Sequence, residues 1–208
     1  FDISWWRIPE SLRLVLESPL SLFRVSADSP EKVLREKGMH ALGSDMNIMN
    51  HMNMFWSSGG RAVSNNSGLI SCSSSPEGML AHAQYIQRHN AAPSYTYVID
   101  MQRRTGWADQ VPTVPIIAID AIIRREYTYP VIDELGKWTL KEGFSSRSQQ
   151  HLPFHTDGDQ AAIKAANLKE VLFPRHIPSG WIAAIFQNIQ NEFGHTVARL
   201  LHDYTKAT

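Results

Sequence analysis

The chain has 208 residues, of which 43% are hydrophobic and 19% charged, and its 20 basic and 20 acidic side chains leave a formal net charge of zero. That length can bury a sizeable core in one large domain or two small ones, while the balanced charge gives no basic signature for a nucleic-acid or anionic-membrane partner. The lone cysteine, Cys72, excludes an intramolecular disulfide, and no apolar run is long enough to span a bilayer.

The chain begins at Phe1 without an initiator Met and without a visible signal peptide, which reads as a processed product or a fragment of a longer protein. Within residues 1–20, Trp5, Trp6, Ile8, Leu12, Leu14, Val15 and Leu16 have the spacing of a short amphipathic helix ending near Ser18 and Pro19. Leu22 to Ser26 reads as a strand with a charged residue, Arg24, among apolar neighbours. Ser29-Pro30-Glu31 is a helix start: serine caps, proline suits the first helical position, and the acid suits the positive end of the dipole. That helix runs through Val33 and Leu34 and stops at Gly38.

Residues 39–68 are rich in Met, Asn, Ser and Gly with weak periodicity; His51 lies among them and, taken alone, reads as a structural histidine. Leu69 to Ser75 puts two aliphatic residues before small polar ones, as in a strand that enters a core and then lines a cleft; a serine-rich turn fits the same residues. Ser75-Pro76-Glu77 repeats the helix-start signature for a helix carrying Met79, Leu80, Ala83, Tyr85 and Ile86. Tyr95, Tyr97 and Ile99 alternate with Thr96 and Val98 as a strand. Pro115 to Ile123 fits either a strand or a helix, and Arg124 to Asp159 holds only short segments, including a helix at Ile132–Leu140. Such a stretch is often a functional loop or insertion. Glu170 then opens the apolar strand Val171-Leu172-Phe173, whose length Pro174 and Pro178 limit because proline cannot donate to a ladder. Alone, Glu170 reads as a solvated strand-end carboxylate. Trp181–Phe186 reads as a strand, and Asn188–Tyr204 as an amphipathic C-terminal helix with Phe193, Val197, Leu200 and Leu201 on one face. Without repeat, linker or composition break, residues 1–208 read as a single α+β domain.

Several common chemistries are missing: there is no Walker loop, no G-x-G-x-x-G, no nucleophile elbow and no paired-cysteine zinc site. His151 and His155 stand four apart near Asp157 and Asp159 without the spacing of a zinc site, so no metal is expected. Cys72, between Ser71 and Ser73, reads as buried rather than nucleophilic.

What remains is an ordered set. Arg24 lies on an early strand, His51 ends Asn47-Ile48-Met49-Asn50-His51, the serine strand runs from Ile70 to Ser75, and Glu170 stands seven residues before Ile177-Pro178. This order resembles the arginine–serine–glutamate family of mono-ADP-ribosyltransferase toxins, which includes the pertussis toxin catalytic subunit and the A chains of cholera toxin and heat-labile enterotoxin. Gly38 to Gly43 is similar to the pertussis pattern, with Leu42 where that pattern has tryptophan; Asp45 to His51 is similar to its Asp-His run; and Leu69 to Ser75 is similar to its serine-threonine-serine strand, with Cys72 in the threonine's place. The likeness extends from Leu22 to Trp181 and is interrupted between about Asp100 and Asp159, where this chain is longer.

The resemblance implies an α+β fold of two roughly perpendicular antiparallel sheets forming an NAD cleft, flanked by helices. It implies a transferase that breaks the nicotinamide–ribose bond of NAD and passes ADP-ribose to a macromolecular acceptor, protein favoured over nucleic acid. Glu170 would stabilise the oxocarbenium-like transition state through a ribose hydroxyl. Arg24 would hold the phosphate side, and the backbone of Val25 would meet the nicotinamide amide. Ser71 would hydrogen-bond Glu170, Ser73 would support the cleft wall, and His51 would contact ribose or diphosphate. NAD is then a substrate. Many enzymes of the class carry Glu or Gln two residues before the catalytic glutamate; here Leu168 stands there and cannot act as a base. That disfavours arginine as acceptor and leaves an acceptor activated on its own, such as a thiolate, or helped by Asp157 or Asp159. The single cysteine argues against release by disulfide reduction and for a domain of a longer toxin or effector, secreted or injected and acting in a target-cell cytoplasm, with a cognate immunity or delivery protein as a further partner and no membrane. Two alternatives stand beside this one: a catalytically inactive module with an NAD cleft, and an NAD glycohydrolase.

Overall fold

A computed structural model describes residues 8–18, 20–45, 51, 66–76, 82–84, 87, 93–103, 117–118, 129–132, 138–141 and 170–205. In chain order its elements are α1 (Glu10–Leu16), β1 (Ser21–Ser26), α2 (Pro30–Arg35), β2 (Gly38–His40), β3 (Leu69–Ser73), β4 (Ser94–Asp100), β5 (Ile117–Ala118), β6 (Tyr129–Ile132), β7 (Trp138–Lys141), β8 (Glu170–Pro174), β9 (His176–Pro178), β10 (Ile182–Gln190) and β11 (Thr196–Asp203). The chain forms two compact units, one from Phe1–Met39, Cys72–Thr113 and Ile177–Thr208, the other from His40–Ser71 and Val114–His176. Among the described residues, no helix is long and apolar enough to cross a membrane.

In the first unit the strands run β11-β10-β4-β1, with the Cys72–Ser73 end of β3 beyond β1. The pairings among them are antiparallel, with Phe23 opposite Val98 on one side of β1 and Ser73 on the other. Side chains alternate across a strand, so Phe23 and Val25 share a face with Val98, Ala184 and Phe186. Leu12 and Leu16, one helical turn apart on α1, close over that face together with Ala83. Each large side chain buried there is worth about 1.5–3 kcal/mol. The opposite face is also covered: Leu22, Tyr97, Ile99 and Ile185 are buried, so β4 is buried at every position but Tyr95.

The α2 start is as its sequence indicates. Ser29 Oγ accepts from the Lys32 N–H at 3.3 Å, and Pro30 occupies the first turn. The helix stops at Arg35, before Gly38, and the chain turns through Lys37 in the left-handed region at φ 59°.

Asn188–Tyr204 is not a helix. Asn188 to Gln190 complete β10, and Thr196 to Asp203 form β11, paired antiparallel with it. The turn between them has its own chemistry: Asn191 Oδ1 accepts from the N–H groups of Phe193 and His195, and Gly194 takes φ +75°, which glycine adopts without strain. Asn188 is buried because its side chain is satisfied, accepting from Thr96 Oγ1 at 2.9 Å and donating to Ser94 Oγ at 3.2 Å. Its carbonyl takes Gln87 Nε2, whose side-chain oxygen in turn accepts from Thr196. The helix expected at Ile132–Leu140 is likewise replaced by strands: Ile132 ends β6 and pairs antiparallel with Trp138 of β7. Tyr129, Val131, Ile132, Trp138 and Thr139 are strand formers.

Tyr97 is buried, and its hydroxyl donates to the Asp28 carbonyl at 2.6 Å. Burial first, then nearby acidic charge, raises its phenol well above the ordinary value. The folded chain therefore keeps a proton that the unfolded chain loses near pH ~10, so the contribution is complete below that pH and drains away as pH rises above it. Tyr97→Phe should cost about 1 kcal/mol at neutral pH. Above pH ~10 it should remove an alkaline loss of about 1.4 kcal/mol per pH unit. Urea unfolding of both proteins from pH 7 to 12 checks this; parallel stability curves would rule it out.

Candidate active site

The candidate residues of the second unit are gathered by three short stretches of backbone. Gly43 N–H donates to the Ser67 carbonyl, Asp45 N–H to the Asn66 carbonyl, and Gly68 N–H back to the Asp45 carbonyl. Arg175, just past β8, donates to the Gly68 carbonyl and accepts from the Ala41 N–H. These bonds fix where residues 66–68 sit and hence where β3 begins. Gly43 has a specific reason to be glycine: a Cβ there would lie 2.2 Å from the Asn66 backbone.

On this frame three of the expected residues meet. His51 Nε2 lies 2.9 Å from Ser71 Oγ on β3 and 3.7 Å from Glu170 Oε1 at the first position of β8. Glu170 is only 8% exposed, and so is His51. The solvated reading of Glu170 is thus corrected: β8 is buried along its whole length, between β3 and β5, and carries its first residue inside with it. A carboxylate out of water requires donors or a counter-charge, and the His51 imidazole edge stands within ion-pair distance of this one. The proline limits expected from the sequence hold, since β8 ends at Pro174 and β9 at Pro178.

The other candidates lie in the first unit. Arg24 is half-buried at the middle of β1, opposite Tyr97, and Val25 is buried opposite Thr96. Ser73 is fully buried; its hydroxyl donates to the Ser75 carbonyl at 2.8 Å and accepts from the Ser75 N–H at 2.9 Å, closing the turn after β3. Cys72 is buried and is in no disulfide. Leu168, His151, His155, Asp157 and Asp159 lie outside the described residues. Among the described residues no cluster of three or more His, Cys, Asp or Glu side chains could hold a metal.

One member of the cluster escapes the sequence reading. Ser67, 6% exposed, lies with its Oγ 2.6 Å from His51 Nδ1 and accepts from the Leu69 N–H at 3.1 Å. Its only signal was a position four residues before Ser71, in a segment without periodicity.

No family model and no curated sequence matches the chain. Among solved structures it is similar to EcPltA, with a TM-score of 0.51 and 15% identity over 86% of this chain and 82% of that one. A mutant of heat-labile enterotoxin matches with a TM-score of 0.46 and 16% identity over 88% of this chain and 74% of that one. Nicked CARDS toxin matches with a TM-score of 0.41 and 15% identity over 88% of this chain and 30% of that one. The likeness to EcPltA is one of fold. Together with the antiparallel strands and few helices, it makes this an α+β chain with the fold of the ADP-ribosyltransferase toxins.

The frame predicts its own sensitivity. Gly43→Ala should destabilise the protein by about 1–3 kcal/mol, because the close approach to Asn66 must open. Gly180→Ala, where an added Cβ meets nothing within 4 Å, should stay within about 0.5 kcal/mol of the parent. Equal denaturation midpoints for the two variants would refute the close approach.

Proposed function

We propose that the chain is a mono-ADP-ribosyltransferase domain of a toxin or effector, cleaving the nicotinamide–ribose bond of NAD and transferring ADP-ribose to a macromolecular acceptor. The observation that carries this reading is the buried Glu170 carboxylate, 3.7 Å from His51 and sharing that imidazole with Ser71, in a chain of this fold. NAD enters as substrate, and the cluster suits a ribose: a carboxylate to accept from its hydroxyls, a serine hydroxyl and an imidazole around it.

The chemistry follows from charge. As the bond to nicotinamide breaks, its electron pair leaves with the base, which becomes neutral, and positive charge grows on the ribose. A fixed carboxylate beside that charge stabilises the transition state more than the ground state. Water exclusion strengthens the effect, because the same charge separation is worth more at lower effective dielectric. Ser71 and His51 hold the position of the carboxylate. Arg24 would grip the diphosphate with a planar fork of donors, and the Val25 backbone would meet the nicotinamide amide. The acceptor's nucleophilic atom then bonds to the anomeric carbon, and any proton it carries must be lost. Leu168 offers no base for that proton, so the acceptor is one already activated, such as a thiolate, with protein favoured over nucleic acid. A secreted or injected route to a target-cell cytoplasm, with a cognate immunity or delivery protein, belongs to the same proposal.

Nicotinamide release from NAD, measured for wild type, Glu170→Ala and Glu170→Gln, tests the assignment. Both variants should lose on the order of a hundredfold or more in turnover, as expected when a preorganised charge is removed. Equal release by wild type and variants would overturn it. NAD binding without turnover would establish an inactive module, and release without labelling of lysate macromolecules a glycohydrolase.

A further inference from the structure

The Ser67 hydroxyl carries one proton and has two places to put it. The Leu69 carbonyl is 3.5 Å away, at the limit of a hydrogen bond, and His51 Nδ1 is 2.6 Å away. The Leu69 N–H donates to the same oxygen at 3.1 Å, which leaves Ser67 its proton and one lone pair, and the 2.6 Å contact to Nδ1 is a better place for that proton than the carbonyl at 3.5 Å. The far edge of the ring gives an independent indication. Nε2 faces the Glu170 oxygen at 3.7 Å, where a ring lone pair would be repelled and an N–H attracted.

We propose that Ser67 is a positioning residue that holds His51 as the neutral tautomer protonated on Nε2. The chain of donors then runs in one direction: Leu69 N–H to Ser67 Oγ, Ser67 O–H to His51 Nδ1, and His51 Nε2–H to Ser71 Oγ at 2.9 Å. Ser71 accepts from His51, and its own hydroxyl proton is directed away from the ring. The Nε2 proton is thereby committed to Ser71, and the His51 edge that faces Glu170 offers no base. The part of this that concerns catalysis rests on the function proposed above; the tautomer does not.

The experiment is ¹⁵N NMR of protein labelled at histidine nitrogens, with His51 assigned by comparison with His51→Gln. The expected wild-type spectrum has an unprotonated-type resonance for Nδ1 and a protonated-type one for Nε2. Ser67→Ala should move both toward averaged values, and Ser67→Thr, which keeps the hydroxyl, should restore the wild-type pair. In nicotinamide release, Ser67→Ala should lower kcat about five- to tenfold, the size of one buried hydrogen bond, with kcat recovered in Ser67→Thr. A proton on Nδ1 in the wild type, whether as the other tautomer or as imidazolium, overturns the proposal without any variant. An unchanged His51 spectrum in folded Ser67→Ala overturns it as well. If the wild type releases no nicotinamide, the functional reading fails while the spectra still decide the tautomer.

Discussion

A carboxylate inside a protein must be answered by something, and much of the second unit can be understood as the answer to Glu170. An isolated buried charge costs several kcal/mol even after relaxation. Here an imidazole stands 3.7 Å from the carboxylate and is itself held at both nitrogens, by Ser67 on one side and Ser71 on the other. Those serines lie four residues apart, and the first is set not by a side chain but by backbone bonds from residues 43 and 45. Arg175 adds a bond from the other direction, next to the strand that carries Glu170, while adopting φ 61°. A left-handed residue other than glycine costs roughly 1–2 kcal/mol. Two backbone hydrogen bonds made by that one residue offset it.

The first unit is held together differently. β1 and β4 are largely buried on both faces, and β1 is paired along one edge with β4 and at Phe23 with the end of β3. A strand in that position has little freedom, so a backbone amide on it, such as that of Val25, is a fixed point. At the other end of the sheet, the Asn188 network joins β4, β10, β11 and Gln87 through satisfied polar groups rather than apolar contact. Such networks specify register, because a slip of one residue would strand every partner.

These two styles of construction explain what the sequence discloses. Elements whose signal is local were legible. The Ser29-Pro30-Glu31 start, the apolar run at β8 and its proline limits need only their neighbours. Asn188–Tyr204 misled because its apolar residues happen to fit a helical face, while the determinants of the hairpin are non-local or polar. Asn188 gains its place from Thr96 and Ser94, over ninety residues away. The turn at Asn191–Gly194 was a signal in the sequence, an Asx residue followed by glycine, that the helical spacing outweighed. In the site, the order of His51, Ser71 and Glu170 was readable by resemblance and the burial of Glu170 was not, since a first strand residue is exposed or buried according to what packs beside it. Ser67 was illegible for a similar reason: a serine acquires a role at 2.6 Å from a histidine sixteen residues away only once the chain has been folded.

The direction of the hydrogen bonds bears on how the two halves of a transfer reaction would divide. On the reading proposed here, Glu170 serves the donor half by meeting charge on the ribose, and the His51 edge that faces it carries a proton. Neither group is then disposed to take a proton from an acceptor. In the family that the sequence resembles, the residue two before the glutamate commonly does that work, and a leucine has no lone pair with which to do it. A nucleophile that arrives protonated and weakly acidic, such as an amide or a guanidinium, would gain nothing from this cluster. A thiol, whose ordinary value near 8.5 leaves a few per cent thiolate at neutral pH, needs no base to become reactive. Selection of the acceptor would then lie in the acceptor's own acidity and in whatever surface docks it, and the carboxylate–imidazole–serine cluster would set only the rate at which the ribose becomes electrophilic.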